Sequence, residues 1–296
     1  MRVLITGGAG FIGSAVAQAA LETGFDVHLT WRQRAPTVDA PAHRVDLSDR
    51  EAAIGLVQSV NPQVIVHAAA GMHRPLKSDQ RTQGWRDSVF TTVNLLEACR
   101  SRGPLLVHLA SSHEFAPGEL PHPETGPLDP ISPRGAMKLA ALVAVRQWAR
   151  ETGNPTVVVR PFSVYGPGQP RDKLLPTLLR CVRDGLPFAT PASTTRRDFV
   201  YVQDVAQGVL AAATLPQAIG GEFNLATGRA TSVTELVALV EEVTGRRVEL
   251  RPGKFPLPST DRAHWTGDPS LARERLGWSA TTDLREGLRK TLEAMT

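Results

Sequence analysis

The segment Arg2–Ala20, RVLITGGAGFIGSAVAQAA, decides the fold. It begins with a short apolar run, continues through a glycine-rich turn and then carries apolar residues at helical spacing, which predicts a buried strand, a tight turn and a helix. Gly7 permits the turn, Gly10 lets a diphosphate approach the backbone, and Gly13 lets the helix lie close to the strand. The segment therefore predicts a dinucleotide site at the start of this helix, and a glycine turn without a ligand is the alternative interpretation.

The bulk properties bound the class of protein. A chain of 296 residues with 42% hydrophobic content can bury one large core, or a large and a small domain that share a cleft. We expect a cytoplasmic protein that does not bind membranes, because no apolar run approaches the roughly 20 residues that span a bilayer and the chain does not start like a signal peptide. The net charge of +4 comes without a long basic block, which argues against nucleic-acid binding.

The two cysteines, Cys99 and Cys181, lie in apolar, helix-like segments without metal or redox spacing. We expect both to be buried free thiols and expect no metal site.

Strand and helix patterns alternate over the first 160 residues or so, which predicts an α/β fold with a doubly wound, parallel (Rossmann) sheet. Beyond Pro161, loops rich in proline and glycine alternate with short helices. We expect a dinucleotide-binding domain over residues 1–162 and a smaller, mainly substrate-binding lobe over residues 163–296, with the chain crossing back to the sheet near 198–225. The shared cleft should lie at the carboxyl ends of the strands.

The end of the second predicted strand bears on the choice of cofactor. An NAD site commonly places an acid there, but this strand ends in Trp31-Arg32-Gln33-Arg34. Because the guanidinium groups of Arg32 and Arg34 can clamp a 2′-phosphate, the sequence favours NADP(H), while NAD remains possible. Two solvated loop arginines are the alternative interpretation. Asp46 can accept a hydrogen bond from the adenine amino group or cap the helix that begins near Asp49.

Several further motifs follow in order along nearly the whole chain. With the N-terminal TGGAGFIG, they are Asp46-Leu47, His67-Ala68-Ala69, Asn94-Leu95-Leu96-Glu97-Ala98, Ser111-Ser112-His113-Glu114, Ser132-Pro133-Arg134-Gly135-Ala136-Met137-Lys138, Arg160-Pro161-Phe162-Ser163-Val164-Tyr165-Gly166, Arg197-Asp198-Phe199-Val200-Tyr201 and Gly267-Asp268-Pro269. This set resembles the extended short-chain dehydrogenase/reductase superfamily, specifically its nucleotide-sugar epimerase/dehydratase/reductase family.

The resemblance implies a nucleotide-sugar substrate and a homodimer that forms through the helices near 83–102 and 134–151. It places the cofactor against Gly7, Gly10, Phe11, Ile12, Gly13, Arg32, Arg34, Asp46, Leu47, Ala68, Ala69, Ala70 and Lys138. On the substrate side it implies that Arg197 grips the diphosphate, although a surface ion pair is the alternative, and that Lys173 flanks the nucleotide. Ser163 stands where the family has Asn. For a second diphosphate cation, the candidates are Arg251, Lys254 and Arg262.

One departure from the family pattern concerns the acid/base group. The family carries a Tyr four residues before the Lys, so that both lie on one helix face, but here Arg134 precedes Lys138. The chain has only two tyrosines, Tyr165 and Tyr201, both far downstream. An arginine stays protonated, so Arg134 can stabilise an oxyanion or bind a sugar phosphate but cannot act as a base. Alternatively, Arg134 points to solvent and the site has lost its usual chemistry.

The turn after the fifth predicted strand offers a replacement. Ser112 aligns with the Ser/Thr of the family that bonds the reacting hydroxyl, His113 stands where the dehydratases carry Asp, and Glu114 matches their Glu. Since histidine titrates near neutrality, we hypothesise that His113 replaces the tyrosine while Lys138 holds the nicotinamide ribose. The alternative is that His113 is only a loop residue.

Three functions remain open. The first is NADP(H)-dependent reduction of a nucleoside-diphosphate keto-deoxysugar. The second is epimerisation or dehydration of a nucleoside-diphosphate sugar with tightly held NAD. The third is a catalytically impaired protein that binds NADP.

Overall fold

The computed structural model describes residues 1–70, 81–101, 103–118, 121–191, 195–255 and 264–295. Its strands are β1 (Arg2–Thr6), β2 (Asp26–Trp31), β3 (Ala42–Arg44), β4 (Val64–His67), β5 (Leu105–Leu109), β6 (Thr156–Pro161), β7 (Ser163–Tyr165), β8 (Phe188–Pro191), β9 (Arg196–Arg197), β10 (Phe199–Tyr201), β11 (Glu222–Leu225), β12 (Thr231–Ser232) and β13 (Leu250–Phe255). Seven of them form a parallel sheet in the order β3–β2–β1–β4–β5–β6–β11. The predicted doubly wound sheet is confirmed.

The helices of the described residues are α1 (Phe11–Glu22), α2 (Arg50–Val60), α3 (Arg81–Trp85), α4 (Thr91–Ala98), α5 (Pro133–Thr152), α6 (Leu174–Asp184), α7 (Val202–Thr214), α8 (Val233–Thr244), α9 (Ser270–Leu276) and α10 (Leu284–Glu293). A π-helical stretch (Arg86–Phe90) joins α3 to α4, and short 3₁₀ turns cover Ser112–Glu114 and Pro216–Ala218. Among these helices, none combines the length and apolar character needed to cross a bilayer.

The central strands are buried on both faces. Leu4 and Ile5 of β1 are fully buried, and they point to opposite faces because side chains alternate along a strand. Helices α1 and α7 pack on one face, while α2, α4 and α5 cover the other. The strand order reverses between β1 and β4, and α/β sheets bind their ligands at such a switch point. The sheet therefore places the cleft at the end of β1, directly after the glycine turn.

The segment predicted as one helix over 83–102 is interrupted by the π-helical stretch. The hydroxyl of Thr91 donates to the carbonyl of Asp87 (2.9 Å), and that of Thr92 donates to Ser88 (2.7 Å). Hydroxyls that bond back to the preceding turn compete with the backbone ladder and widen or bend a helix. The consequence is that Asp87 and Ser88 lie on the side of the helix that faces the cleft.

The C-terminal part of the chain builds a second apolar core, where α6, α8 and α10 pack around Tyr165, Leu178 and Leu236. Strand β11 leaves this part and pairs with β6 in the main sheet. The division of the chain at residue 162 stays a prediction. Cys99 is buried as expected, but the prediction for Cys181 is wrong, because this thiol is partly exposed on the amphipathic helix α6.

Candidate active site

The glycine turn is shaped by close backbone contacts. Gly7 has φ of +70°, a conformation that side chains rarely adopt. A Cβ on Gly7 would lie 2.9 Å from the Ala69 backbone, and a Cβ on Gly13 would lie 2.2 Å from the Gly7 carbonyl oxygen. No side chain caps the N-terminus of α1 at Gly10, so the first N–H groups of this helix face the cleft. This is the geometry that holds a diphosphate at a helix N-terminus.

A cleft of about 1070 Å³ runs from this turn along the carboxyl ends of β1, β4, β5 and β6. Most of the residues that the sequence assigned to cofactor, catalysis or substrate line it: Gly7, Gly10, Phe11, Ile12, Gly13, Arg32, Arg34, Asp46, Leu47, Ala68, Ala69, Ala70, Ser112, His113, Arg134, Lys138, Ser163, Lys173 and Arg197. The structure thus brings these residues together at one site. Their roles stay predictions.

At the end of β2, Arg32 does not present a free guanidinium. Its Nη1 and Nη2 atoms donate to both carboxylate oxygens of Asp87, at 2.5 and 2.8 Å, and Nη1 lies 3.7 Å from Asp46. Asp87, whose neighbour Gln83 also donates to it at 2.7 Å, was missed by the sequence analysis. The partner of Asp87, Arg32, follows the distant strand β2. In the sequence, only the helical pattern around Asp87 could have indicated that its side chain faces inward. Arg34 is exposed at the rim of the cleft.

Asp46 turns the chain between β3 and α2. Its carboxylate accepts from the backbone N–H (3.0 Å) and the hydroxyl (2.8 Å) of Ser48. The suggestion that it caps α2 is wrong, because Asp49 accepts from the N–H of Ala52 and is the cap. Asp46 lines the cleft, which leaves the adenine contact as the remaining hypothesis.

The turn after β5 carries the candidate catalytic side chains. Ser111 caps it by accepting from the His113 N–H (3.3 Å), and Glu114 accepts from the Ser111 N–H (2.9 Å). Ser112 is buried, and the His113 ring packs on Trp265 with 5.0 Å between ring centroids. This reciprocal capping fixes the direction in which Ser112 and His113 enter the cleft.

His113 is neutral at physiological pH. Burial, together with the positive charges of Arg134, Arg197 and Lys173, lowers its pKa to about 3. The ring therefore carries one proton and cannot gain a second near neutrality. This weakens the hypothesis that His113 takes over the complete acid/base cycle of the tyrosine, but it leaves His113 able to orient a substrate oxygen.

Helix α5 positions Arg134 and Lys138 one turn apart. Ser132 caps the helix by accepting from the Gly135 N–H (3.0 Å), and Pro133 starts its first turn. Lys138 is buried, and its Nζ donates to the Leu109 carbonyl at 2.6 Å. Arg134 is exposed to the cleft.

The surroundings of Lys138 make its ammonium easier to deprotonate than that of a free lysine. Burial lowers its pKa to about 8, while the charge of Glu114 acts in the opposite direction and that of Arg134 adds to the lowering. Since one N–H of its ammonium is used by Leu109, the others can reach a bound ligand.

Glu114 does not enter the cleft. Its carboxylate is fully buried, and it accepts from Nε of Arg160, itself fully buried on β6, at 3.2 Å. Arg160 also contacts Glu222 at 3.2 Å, and Glu222 pairs with Arg146 at 2.6 Å. Glu114, which the family resemblance aligns with the Glu of the dehydratases, is thus held in a buried ion pair.

Of the three candidates for a second diphosphate cation, Arg251 is the one whose side chain the structure describes. Arg251 pairs with its neighbour Glu249 at 2.6 Å and does not line the cleft. The side chain of Lys254 and the whole of Arg262 lie outside the described residues. Arg134, Lys173 and Arg197 are basic residues that do line the cleft.

The parallel sheet, the glycine turn and the cleft at the switch point define a dinucleotide-binding oxidoreductase fold. The family model for the NAD dependent epimerase/dehydratase family matches residues 3–226. The chain belongs to this family and is an enzyme of its NAD(P)-dependent class.

Individual relatives agree with this assignment. A dTDP-6-deoxy-L-talose 4-dehydrogenase (NAD(P)(+)) of Kitasatospora kifunensis is 32% identical over 98% of this chain and 94% of its own. A UDP-glucose 4-epimerase of Thermotoga maritima, solved with UDP-glucose, superposes with a TM-score of 0.92, 28% identity and coverage of 100% of this chain and 98% of its own. A Thermus thermophilus UDP-glucose 4-epimerase in complex with NAD gives a TM-score of 0.88, 28% identity and coverage of 99% and 98%.

Proposed function

We propose that this protein is an NADP(H)-dependent reductase of a nucleoside-diphosphate keto-deoxysugar. The carrying observation is one cleft that joins a diphosphate-binding glycine turn to a wall of Ser112, His113, Arg134 and Lys138. In the reaction, the ketone and NADPH take up one proton and yield the alcohol and NADP⁺. A relative that is named a dTDP-6-deoxy-L-talose 4-dehydrogenase (NAD(P)(+)) supports both the redox class and the sugar class.

The proposal for NADP(H) rests on the end of β2. No acid stands there, and Arg34 is exposed at the cleft rim, where it can meet a 2′-phosphate. Arg32 is held by Asp87 and therefore supplies less net charge to that phosphate than the sequence suggests. Because Asp87 neutralises Arg32, NAD is the alternative cofactor.

The chain's own groups divide the chemistry. The cofactor, when bound, supplies the hydride. Arg134 offers a fixed positive charge to the carbonyl oxygen, which becomes an alkoxide as its carbon is reduced. Ser112 and neutral His113 orient that oxygen by hydrogen bonds, and the Lys138 ammonium both holds the nicotinamide ribose and supplies the proton. Lys173 and Arg197 bind the diphosphate of the substrate.

The position of Glu114 separates reduction from dehydration. Dehydration needs a base that removes a proton from carbon, and the matching carboxylate here is buried and paired with Arg160. The preceding position carries His113, which is uncharged and weakly basic. The wall therefore favours reduction over dehydration.

The test is consumption of NADPH with a panel of thymidine- and uridine-diphosphate 4-keto-6-deoxyhexoses, compared with NADH. We expect turnover with NADPH and a loss of roughly a hundredfold in Arg134→Met, the effect of removing one oxyanion donor. Arg150→Met, an exposed arginine of the same helix, is the matched control and keeps wild-type turnover.

Two results would replace the proposal. Copurifying NAD that interconverts nucleotide sugars without net consumption of NADPH would indicate an epimerase. NADPH binding without turnover on any sugar would indicate the impaired binding protein. A His113→Ala variant with full turnover would remove His113 from the mechanism while leaving the reductase proposal in place.

We also propose a homodimer. Trp85 of α3, Phe90 of the π-helical stretch and Val143 of α5 are exposed at 40%, 54% and 52%, on three segments that contact one another. Large apolar side chains that cluster on adjacent helices are typical of an interface between copies. Sedimentation of the wild type against Phe90→Glu tests this, and a monomeric wild type would contradict it.

A further inference from the structure

Behind the catalytic wall lies a buried ionic chain that the proposed chemistry does not use. It runs from Glu114 through Arg160 and Glu222 to Arg146, on the sheet face that α5 covers. Glu114 and Arg160 are both fully buried, and the Arg160 guanidinium also lies 4.8 Å from the centre of the Phe115 ring. Burying a charged pair is often no more stabilising than burying apolar residues of the same volume, so stability alone does not explain this chain.

Glu114 connects this ionic chain to the Ser112–His113 turn and to Lys138. One carboxylate oxygen, Oε1, accepts from the Ser111 N–H at 2.9 Å and thereby closes the turn that carries Ser112 and His113. The other, Oε2, is held by Arg160 at 3.2 Å. Lys138 is held at the same end of β5, because its Nζ donates to the Leu109 carbonyl at 2.6 Å, two residues before Ser111. At this place the negative charge of Glu114 favours the charged form of the ammonium.

We propose that Glu114 is a positioning residue, which fixes the Ser112–His113 turn and serves as the counter-charge of the Lys138 ammonium that is anchored at the same end of β5. The inference rests on the proposed function for its effect on turnover, but not for its effect on Lys138. Arg160 bonds the other carboxylate oxygen at 3.2 Å, and its positive charge opposes the rise that burial causes in the pKa of Glu114.

The other charged and titratable groups around Lys138 cannot replace Glu114. Arg134 on the same helix adds a positive charge, while His67 on β4 and His108 on β5 are buried. Burial lowers the pKa of both histidines far enough to leave them uncharged near neutrality. Among the described residues that act on Lys138, Glu114 is therefore the anion.

Two variants separate the two roles of Glu114. Glu114→Gln keeps an oxygen that can accept from Ser111 but removes the charge. Glu114→Asp keeps the charge but withdraws the carboxylate from the Ser111 N–H. Asp204→Asn is the matched control, because Asp204 is also a buried carboxylate that holds a loop, through Thr281 (2.9 Å) and Thr282 (2.9 Å), away from the cleft.

The measurement is the protonation of Lys138, followed by NMR of the full-length protein with ¹³C-labelled lysine. The chain has few lysines to assign, namely Lys77, Lys138, Lys173, Lys254 and Lys290, and Lys138→Met identifies the signal. We expect Glu114→Gln to lower the Lys138 titration midpoint by about one pH unit, as loss of a nearby opposite charge does. Glu114→Asp and Asp204→Asn should leave it in place.

Turnover supplies the second readout. In Glu114→Gln, kcat at pH 8 should fall about fivefold with its alkaline limb shifted to lower pH, because less Lys138 is protonated. In Glu114→Asp, kcat should fall at all pH values with an unshifted profile. An unchanged Lys138 midpoint in a folded Glu114→Gln protein would overturn the inference, and so would an equal shift in Asp204→Asn.

If Glu114→Gln does not fold, Glu222→Gln tests the same ionic chain at its partly exposed end. Loss of that charge leaves Arg160 to Glu114 alone, which should draw the carboxylate from Ser111 and lower the Lys138 midpoint by a smaller amount. A midpoint equal to that of the wild type would overturn the inference. If the wild type turns over no sugar, the reductase proposal fails while the lysine titration still decides the role of Glu114.

Discussion

Backbone atoms shape the cofactor end of the cleft, whereas side chains shape its reacting end. At the cofactor end, the shape comes from backbone atoms, and an added Cβ at Gly7 or Gly13 would meet backbone at 2.9 or 2.2 Å. At the reacting end, the shape comes from side chains on a capped helix and a capped turn. Arg134 lies on this regular helix four residues before Lys138, where the family resemblance implies a tyrosine. A backbone-built site tolerates almost no substitution, whereas a side-chain-built site can change its chemistry without changing its scaffold.

The largest effect is expected where backbone defines the site. In Gly13→Ala, the new Cβ must displace the Gly7 carbonyl, which should cost about 1 to 3 kcal/mol of stability and weaken NADPH binding roughly a hundredfold. Fluorescence titration and thermal unfolding measure both. Gly55→Ala, in α2 with open space around it, is the control and should stabilise the protein by about 1 kcal/mol. NADPH binding at wild-type affinity in Gly13→Ala would contradict the claim that backbone atoms define the cofactor end of the cleft.

At the reacting end, removal of one side chain should affect turnover far more than cofactor binding. Lys138→Met leaves α5 intact but removes the ammonium that we assign to proton transfer, so kcat should fall by about 10² to 10⁴. The Kd for NADPH should rise much less, because the glycine turn still holds the diphosphate. Lys290→Met, at the exposed end of α10, should leave both unchanged. Equal losses in kcat and affinity would show that Lys138 serves cofactor binding alone.

His67 is the last residue of β4 and pairs with the end of β1 in the sheet. Its ring bonds Thr6 at 2.8 Å and Thr92 at 2.9 Å, and burial lowers its pKa to about 3. The folded state thus binds fewer protons than the unfolded state, so this stability is complete above about pH 6.5 and is lost as the pH falls toward 3. In His67→Gln, the slope of unfolding free energy between pH 6 and pH 4 should decrease by about 1 kcal/mol per pH unit. Urea denaturation at each pH gives the unfolding free energy. Plots of this free energy against pH that run parallel for the two proteins would contradict a neutral, buried His67.

The smallest effect is expected at the end of β2, where the side chains of Arg32 and Asp87 adjust the affinity of the cofactor end for NADPH and NADH. Asp87→Asn removes the anion that neutralises Arg32, so the ratio of NADPH to NADH affinity should rise about two- to fivefold. Fluorescence titration with both cofactors gives the ratio. Asp49→Asn, at the cap of α2 and outside the cleft lining, is the control. A fall in the ratio would mean that Asp87 instead holds Arg32 in position for the phosphate.

The sequence located the strand, glycine turn and helix at the N-terminus, because apolar period and glycine sterics act between near neighbours. It also placed Arg134 and Lys138 on one face of α5, since residues four apart share a helix face. It did not foresee the π-helical stretch before α4 or the partial exposure of Cys181, because both depend on how each helix packs against the rest of the chain.

By itself, then, the sequence determined the fold class, the line of the cleft and the residues along it. Only the tertiary structure decided their electrostatic state. Arg32 meets Asp87 across 55 residues of chain, and Glu114 meets Arg160 across 46. Such pairs depend on strand order and helix docking, which local periodicity does not encode. The same packing leaves His113 uncharged and brings Lys138 near its titration point, because burial and distant charges set the pKa of both groups.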